Sequence, residues 1–268
     1  MHLTVHGARG SMAVSDPAFM RYGGNTTCFE VAVDVDHRLL VDCGSGLRRL
    51  QHRLPTDRNL SFIVLMTHYH WDHILGLPLF PPLWMGGNDF LFVGAAAEGR
   101  DAAICLGEAI RPPWFPVSMA ESPASIAYRP ADEPFDAWGL RVTPEGLHHP
   151  QGAMAYRIDG PERSIVVATD HEAGSAADAD LLELARGADV LIHDSQYTPE
   201  EYASRKVGWG HSTWEDATAV AEAAGVGQLV LTSHDPDRTD EEIDVMVAKA
   251  RERFSNTEGA WEGLTLPL

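Results

Sequence analysis

The chain has 268 residues, 44% of them hydrophobic, and a formal net charge of −19. That length supports one sizeable core in an ordinary α/β composition, while so acidic a surface excludes the usual grip on a polynucleotide, which needs clustered Lys and Arg. No apolar run is long enough to cross a bilayer and no secretory leader is visible. The cysteines Cys28, Cys43 and Cys105 form neither a disulfide framework nor a CxxC knuckle, so a cytoplasmic location without membrane contact is expected.

Taken in chain order, short β-like runs open the sequence at 3–6, 28–35 and 38–42, punctuated by the glycine turns YGGN (22–25) and DCGSG (42–46). A buried strand is predicted at 62–66, directly before a cluster of histidines. Residues 80–134 are rich in Pro, Gly and aromatics (PPLWMGGNDF, RPPWFPVSM). They are expected to cover the domain with little regular structure, as bland packing or as a pocket wall or lid. Further buried strands are predicted at 164–168, 190–192 and 229–231, each running into His or Asp. A short helix is predicted at 181–186. Two others are predicted behind apparent capping boxes, Ser212-Thr213-Trp214-Glu215 leading to Ala224 and Thr239-Asp240-Glu241-Glu242 leading to Phe254. No repeat or linker divides the chain, so a single domain over 1–268 is expected.

The chemistry concentrates in Thr67-His68-Tyr69-His70-Trp71-Asp72-His73. Imidazoles suit Zn²⁺ and a carboxylate adds a hard, charged ligand. His68 and His70, two apart in extended chain, point the same way; Asp72 and His73 need a turn to reach a second ion. Such a cluster is costly to bury unless a cation binds it, and the bland alternative is a solvated surface cluster. His2, His37 and His52 have no comparable setting, and His171 is expected beside the site or at the surface.

This HxHxDH run resembles that of the metallo-β-lactamase superfamily, and the resemblance spans nearly the whole chain. It continues at His149 in HHPQG, preferred over His148 because it precedes Pro, at Asp170 in VVATD and at His234 in LTSHDP. The resemblance implies a four-layer αββα sandwich. It also implies two divalent ions, Zn²⁺ first and Mn²⁺ second. His68, His70 and His149 would hold one, Asp72, His73 and His234 the other, and Asp170 would bridge them. Asp170 stands where class B lactamases have Cys, and His70 where the flavo-diiron branch has a carboxylate. That set implies hydrolysis, with water between the ions activated as hydroxide.

The segment Gly208-Trp209-Gly210-His211-Ser212-Thr213 resembles the corresponding stretch of ribonuclease Z, which makes His211 a proton donor rather than a ligand. Asp194, in His193-Asp194-Ser195, would orient or charge it. Together with Asp72, these two are the catalytic candidates. GARGS, YGGNT, DCGSGLR and HPQGAMAYRI are similar to the small phosphodiesterases related to ribonuclease Z. No basic Gly/Pro arm for tRNA is present. The expected substrate is therefore a small anionic or cyclic phosphodiester such as a cyclic nucleotide, with a lactone or thioester hydrolase or a noncatalytic accessory protein as alternatives. Asn25, Thr26 and Ser45 are candidate substrate contacts. Trp114 and Phe115 would stack on a base or pack in a core or dimer, and a homodimer is implied by resemblance alone.

Overall fold

A computed structural model describes residues 1–268. The first half contributes β1 (His2–Gly7), β2 (Cys28–Ala32), β3 (His37–Val41), β4 (Ser61–Met66), β5 (Asp89–Gly94) and β6 (Ser125–Pro130). The second contributes β7 (Phe135–Ala137), β8 (Leu140–Leu147), β9 (Ala153–Asp159), β10 (Ser164–Ala168), β11 (Val190–Asp194), β12 (Gln228–Thr232) and β13 (Thr257–Gly259), before β14 (Thr265–Pro267) returns to β1. Two seven-stranded sheets result, β14-β1-β2-β3-β4-β5-β6 and β13-β12-β11-β10-β9-β8-β7. Each is antiparallel on one side, and β3 to β6 and β10 to β13 run parallel.

Strand alternation builds the layers. Ile63 and Leu65 of β4 meet Ile165 and Val167 of β10 in the core between the sheets. Phe62, Val64 and Met66 turn the other way, against α1 (Leu47–Gln51) and α3 (Ala102–Ala109). Val166 and Ala168 turn toward α4 (Ala177–Ala185), α6 (Trp214–Ala224) and α7 (Asp240–Arg253). Both faces of these strands are buried, which explains their continuous apolar runs. The order of layers is helix, sheet, sheet, helix, as expected, and no helix is long and apolar enough to cross a membrane.

Three expectations need correction. Residues 80–134 are more regular than their composition suggests, holding β5, α3 and β6, because Phe90 and Phe92 pair with the parallel edge and pack beneath Phe62 and Phe80. The cap of α6 is Thr213 with Asp216, one residue later than Ser212 with Glu215. Helix α4 starts at Ala177 instead of 181.

Several strands end abruptly at one rim. Asp42 after β3, Asp170 after β10 and Ser233 after β12 all adopt left-handed backbone, with φ of 58°, 53° and 58°. Non-glycine residues hold this conformation only where their surroundings over-determine it, and such strain clusters at functional sites.

Candidate metal centre

Past the end of β4, the Thr67 N–H and O–H both donate to the Asp42 carboxylate, at 2.8 and 2.7 Å. The chain then runs extended through His70, which is the N-cap of the short helix α2 (Trp71–Ile74). That turn swings Asp72 and His73 inward, where both are buried. His149 arrives from the β8–β9 turn, Asp170 from the end of β10, Asp194 from the end of β11, and His211 from the loop before α6.

The side chains converge on one another. His70 Nδ1 lies 2.9 Å from His68 Nε2 and 3.2 Å from His149 Nε2. Asp170 Oδ2 lies 3.6 Å from His68 Nε2, 3.7 Å from His149 Nε2 and 3.4 Å from His73 Nε2. Asp72 Oδ2, which accepts the Ser11 N–H at 2.7 Å, lies 3.3 Å from His73 Nε2.

The outward nitrogens fix which atoms face inward. His149 Nδ1–H donates to the Gly210 carbonyl at 2.7 Å and His73 Nδ1–H to Asp42 Oδ2 at 2.6 Å. His70 Nε2–H donates to Gln151 Oε1 at 3.1 Å, and His68 Nδ1 sits 3.1 Å from Thr67 Oγ1. With those outer nitrogens occupied, each ring turns its other nitrogen toward the cluster, the arrangement of metal-ligating histidines whose remaining N–H is taken by a backbone or carboxylate oxygen.

These residues fit a divalent cation. His73 Nε2 and Asp170 Oδ1 are buried without a hydrogen-bond partner, which a purely structural cluster would rarely tolerate. Three sets of side chains, His68/His70/His149, His68/His73/Asp170 and His149/Asp170/His211, each bring ligand atoms within 4.8 Å of one another. Burial alone would lower the His73 pKa, but Asp170, Asp72 and Asp42 outweigh it and hold it well above its ordinary value. The same carboxylate field attracts a metal ion.

His211 stands at the edge of this cluster. Its Nδ1 is 2.8 Å from Asp194 Oδ2 and its Nε2 is 3.9 Å from Asp170 Oδ2. Asp194 is fully buried and also accepts the N–H groups of His171 and Gln196. Burial opposes the charged imidazolium, yet the Asp194 and Asp170 carboxylates prevail and push the His211 pKa up to about 9.

Other expected residues sit differently. The Nε2 of His234 donates to the Ala260 carbonyl at 2.9 Å and its ring meets Tyr22 edge-on. Neither it nor Asp72 belongs to the three closest sets, and the bond to Ala260 leaves Nδ1 as the nitrogen His234 can offer a cation, as the Gly210 carbonyl leaves Nε2 of His149. Asn25, Thr26 and Ser45 are hydrogen-bonded to one another, and Asn25 also donates its backbone N–H and Nδ2–H to Glu262. Ser45 N–H donates to Thr26 Oγ1 at 2.8 Å, Thr26 N–H to Ser45 Oγ at 2.9 Å, and Ser45 Oγ to Asn25 Oδ1 at 3.0 Å. These hydrogen bonds brace two loops against each other. His148 turns its Nδ1 to the Glu172 carbonyl. Phe115 stacks on Trp84, while Trp114 is 70% exposed. A cavity of about 220 Å³ opens beside His68 and His70, walled by Tyr69, Glu98, Arg100, Glu108 and Gln151. Segment 80–134 therefore does supply a pocket wall. Asp42, Gln151 and Glu172 were missed as supporting residues. Asp42 alone left a signal, a carboxylate at the end of an apolar strand in the DCGSG turn.

The fold and this histidine–carboxylate rim define a metal-dependent hydrolase. The beta-lactamase superfamily domain matches residues 37–234, and the chain belongs to that superfamily. It is 29% identical over 225 residues to ribonuclease Z of Mycobacterium sp. (strain KMS), covering 75% of each chain. Over 238 residues it is 28% identical to the probable metallo-hydrolase YhfI of Bacillus subtilis (strain 168), covering 87% of this chain and 86% of that one. The crystal structure of a diphosphatase from the PhnP family superposes with a TM-score of 0.72 at 22% identity, covering 100% of this chain and 97% of the other.

Proposed function

We propose that this hydrolase is a dinuclear phosphodiesterase acting on a small or cyclic phosphodiester, such as a cyclic nucleotide. His68, His70 and His149 would hold one ion, Zn²⁺ before Mn²⁺, and Asp72, His73 and His234 a second, with Asp170 available to both. Bound there, divalent ions supply Lewis-acid polarisation of the phosphate and lower the pKa of a water. The chain's own part is proton delivery. His211 Nε2 gives its proton to the oxygen that leaves as the P–O bond breaks, and Asp194 holds the ring in place and charged. The observation that carries this reading is His211 held between Asp194 at 2.8 Å and Asp170 at 3.9 Å. A general acid is needed for a poor alkoxide leaving group and adds little for a thiolate, which favours a phosphodiester over a thioester.

The kinship with ribonuclease Z supports phosphodiester chemistry. The cavity of about 220 Å³ and the net charge of −19 favour a small substrate over folded RNA. A homodimer remains part of this reading by family likeness alone. The test is His211→Ala in the zinc-loaded chain. Turnover of an alkyl phosphodiester is expected to fall about 10²–10⁴-fold with metal content unchanged. The loss is expected to shrink sharply for a bis-nitrophenyl ester, whose leaving group needs no proton. Full activity of the variant on alkyl esters, or a parent chain that prefers tRNA, a lactone or a thioester, would sink the assignment.

A further inference from the structure

Glu172 is 4% exposed. Its carboxylate accepts three hydrogen bonds: the Gly208 N–H at 2.6 Å and the Tyr202 O–H at 2.7 Å on Oε1, and the Gly210 N–H at 2.7 Å on Oε2. The last leads straight to the metal centre, because the Gly210 carbonyl takes the Nδ1–H of His149 and the next residue is His211. Gly210 has φ +86°, and a Cβ there would lie 2.3 Å from His149 Nδ1. Only glycine lets this peptide lie so close against the imidazole. The Glu172 backbone completes the brace: its N–H donates to the His148 carbonyl at 2.8 Å, and its carbonyl takes His148 Nδ1 at 3.1 Å.

One residue thus ties together the segments that carry His149, Asp170 and His211. We propose that Glu172 is a positioning residue: by clamping the 208–210 loop with both carboxylate oxygens, it holds the carbonyl that orients His149 and sets His211 against Asp194 and Asp170. Two N–H groups on alternate residues need two acceptor oxygens held apart, which a carboxylate offers. A glutamine offers one oxygen and an NH₂ that meets the other N–H donor to donor. The part concerning His211 rests on the proposed phosphodiesterase reading; the part concerning His149 does not.

The experiment compares the full chain with Glu172→Gln. Zn²⁺ affinity is measured by competition with a chromophoric chelator, and turnover on a pair of phosphodiesters with alkyl and nitrophenyl leaving groups. Supporting partners of metal ligands typically govern affinity about 10–100-fold, so Zn²⁺ binding is expected to weaken by at least about 10-fold. The rate on the alkyl ester is expected to fall further than that on the nitrophenyl ester, because a misplaced His211 matters only where the leaving group needs a proton. Glu172→Asp, which keeps the charge but is one methylene too short to span both N–H groups, is expected to show the same two changes and serves if Gln prevents folding. Unchanged Zn²⁺ affinity together with an unchanged ratio between the two esters would overturn the proposal, even if melting temperature fell. A parent chain that cleaves neither ester would sink the phosphodiesterase reading instead, and the affinity measurement would still decide the role of Glu172 toward His149.

Discussion

Asp170 is the residue that His68, His73, His149 and His211 share: its Oδ2 lies between 3.4 and 3.9 Å from a nitrogen of each. Asp170→Ala is therefore expected to lower the occupancy of both ion positions, measured as metal per chain after purification without chelator. Loss of one ion with full retention of the other would rule out a shared carboxylate. His234 bears on the second position only. Burial and the neighbouring Arg9 guanidinium push its pKa down to about 3, so its ring is neutral, with Nε2 bound to Ala260. His234→Ala is expected to lower metal content by at most one ion per chain, and unchanged content would remove His234 from the ligand set. A second consequence concerns affinity. His68, His70 and His149 bring their ligand atoms within 4.8 Å of one another, while no such set includes Asp72 or His234. Zn²⁺ titration of the stripped chain is expected to show a tighter and a weaker step, and two equal steps would overturn that ranking.

At the scale of elements, capping motifs and strand ends share the task of aiming the chain. Thr198 caps a short helix, α5 (Pro199–Glu201), in a reciprocal box with Glu201, whose carboxylate also takes a 2.6 Å bond from Arg238. Burial would raise the Glu201 pKa, but the Thr198 N–H and Arg238 lower it on balance below 4.5. Because the folded value lies below the unfolded one, the stabilisation is complete above about 4.5 and is lost as pH falls through the folded value. Its side chain is 40% exposed, so solvent screening limits the effect. Glu201→Gln is expected to cost about 0.5–1 kcal/mol at neutral pH. It should converge with the parent in acid, as followed by denaturant melts across pH. A constant difference at all pH values would mean that packing, not charge, is lost. Where the sequence misplaced an element, the cause was local: Ser212 and Thr213 are equally good caps by type, and only the Asp216 carboxylate on the Thr213 N–H and O–H decides between them.

For the whole molecule, two sheets press their inner faces together and leave the metal centre at the rim where their strands end. Buried carboxylates from both halves, Asp42 and Asp72 from the first and Asp170 and Asp194 from the second, meet there. A cation that binds only this folded arrangement stabilises it by mass action. Stripping with chelator is expected to lower the melting temperature by on the order of 5–10 °C, and Zn²⁺ should restore it; no shift would mean that the rim holds without metal. The sequence by itself marked the buried strands, in continuous apolar runs such as 62–66 and 164–168 bounded by turn residues, and its family resemblance implied the four layers. It also marked the candidate metal cluster, because three imidazoles and a carboxylate packed into 68–73 are costly to bury without a cation, while His149 and Asp170 came from the resemblance. Tertiary structure decided what depends on direction. His234 follows a strand as Asp170 does, and only the fold shows that its Nε2 is taken by Ala260. Asn25, Thr26 and Ser45 look like free donors in sequence and satisfy one another in space. Glu172 is an unremarkable acid until the fold brings Gly208 and Gly210 to it from 36 and 38 residues away. Spacing along a chain limits which side chains can share a face, but which atom of a ring points where is set by the hydrogen bonds that distant segments bring.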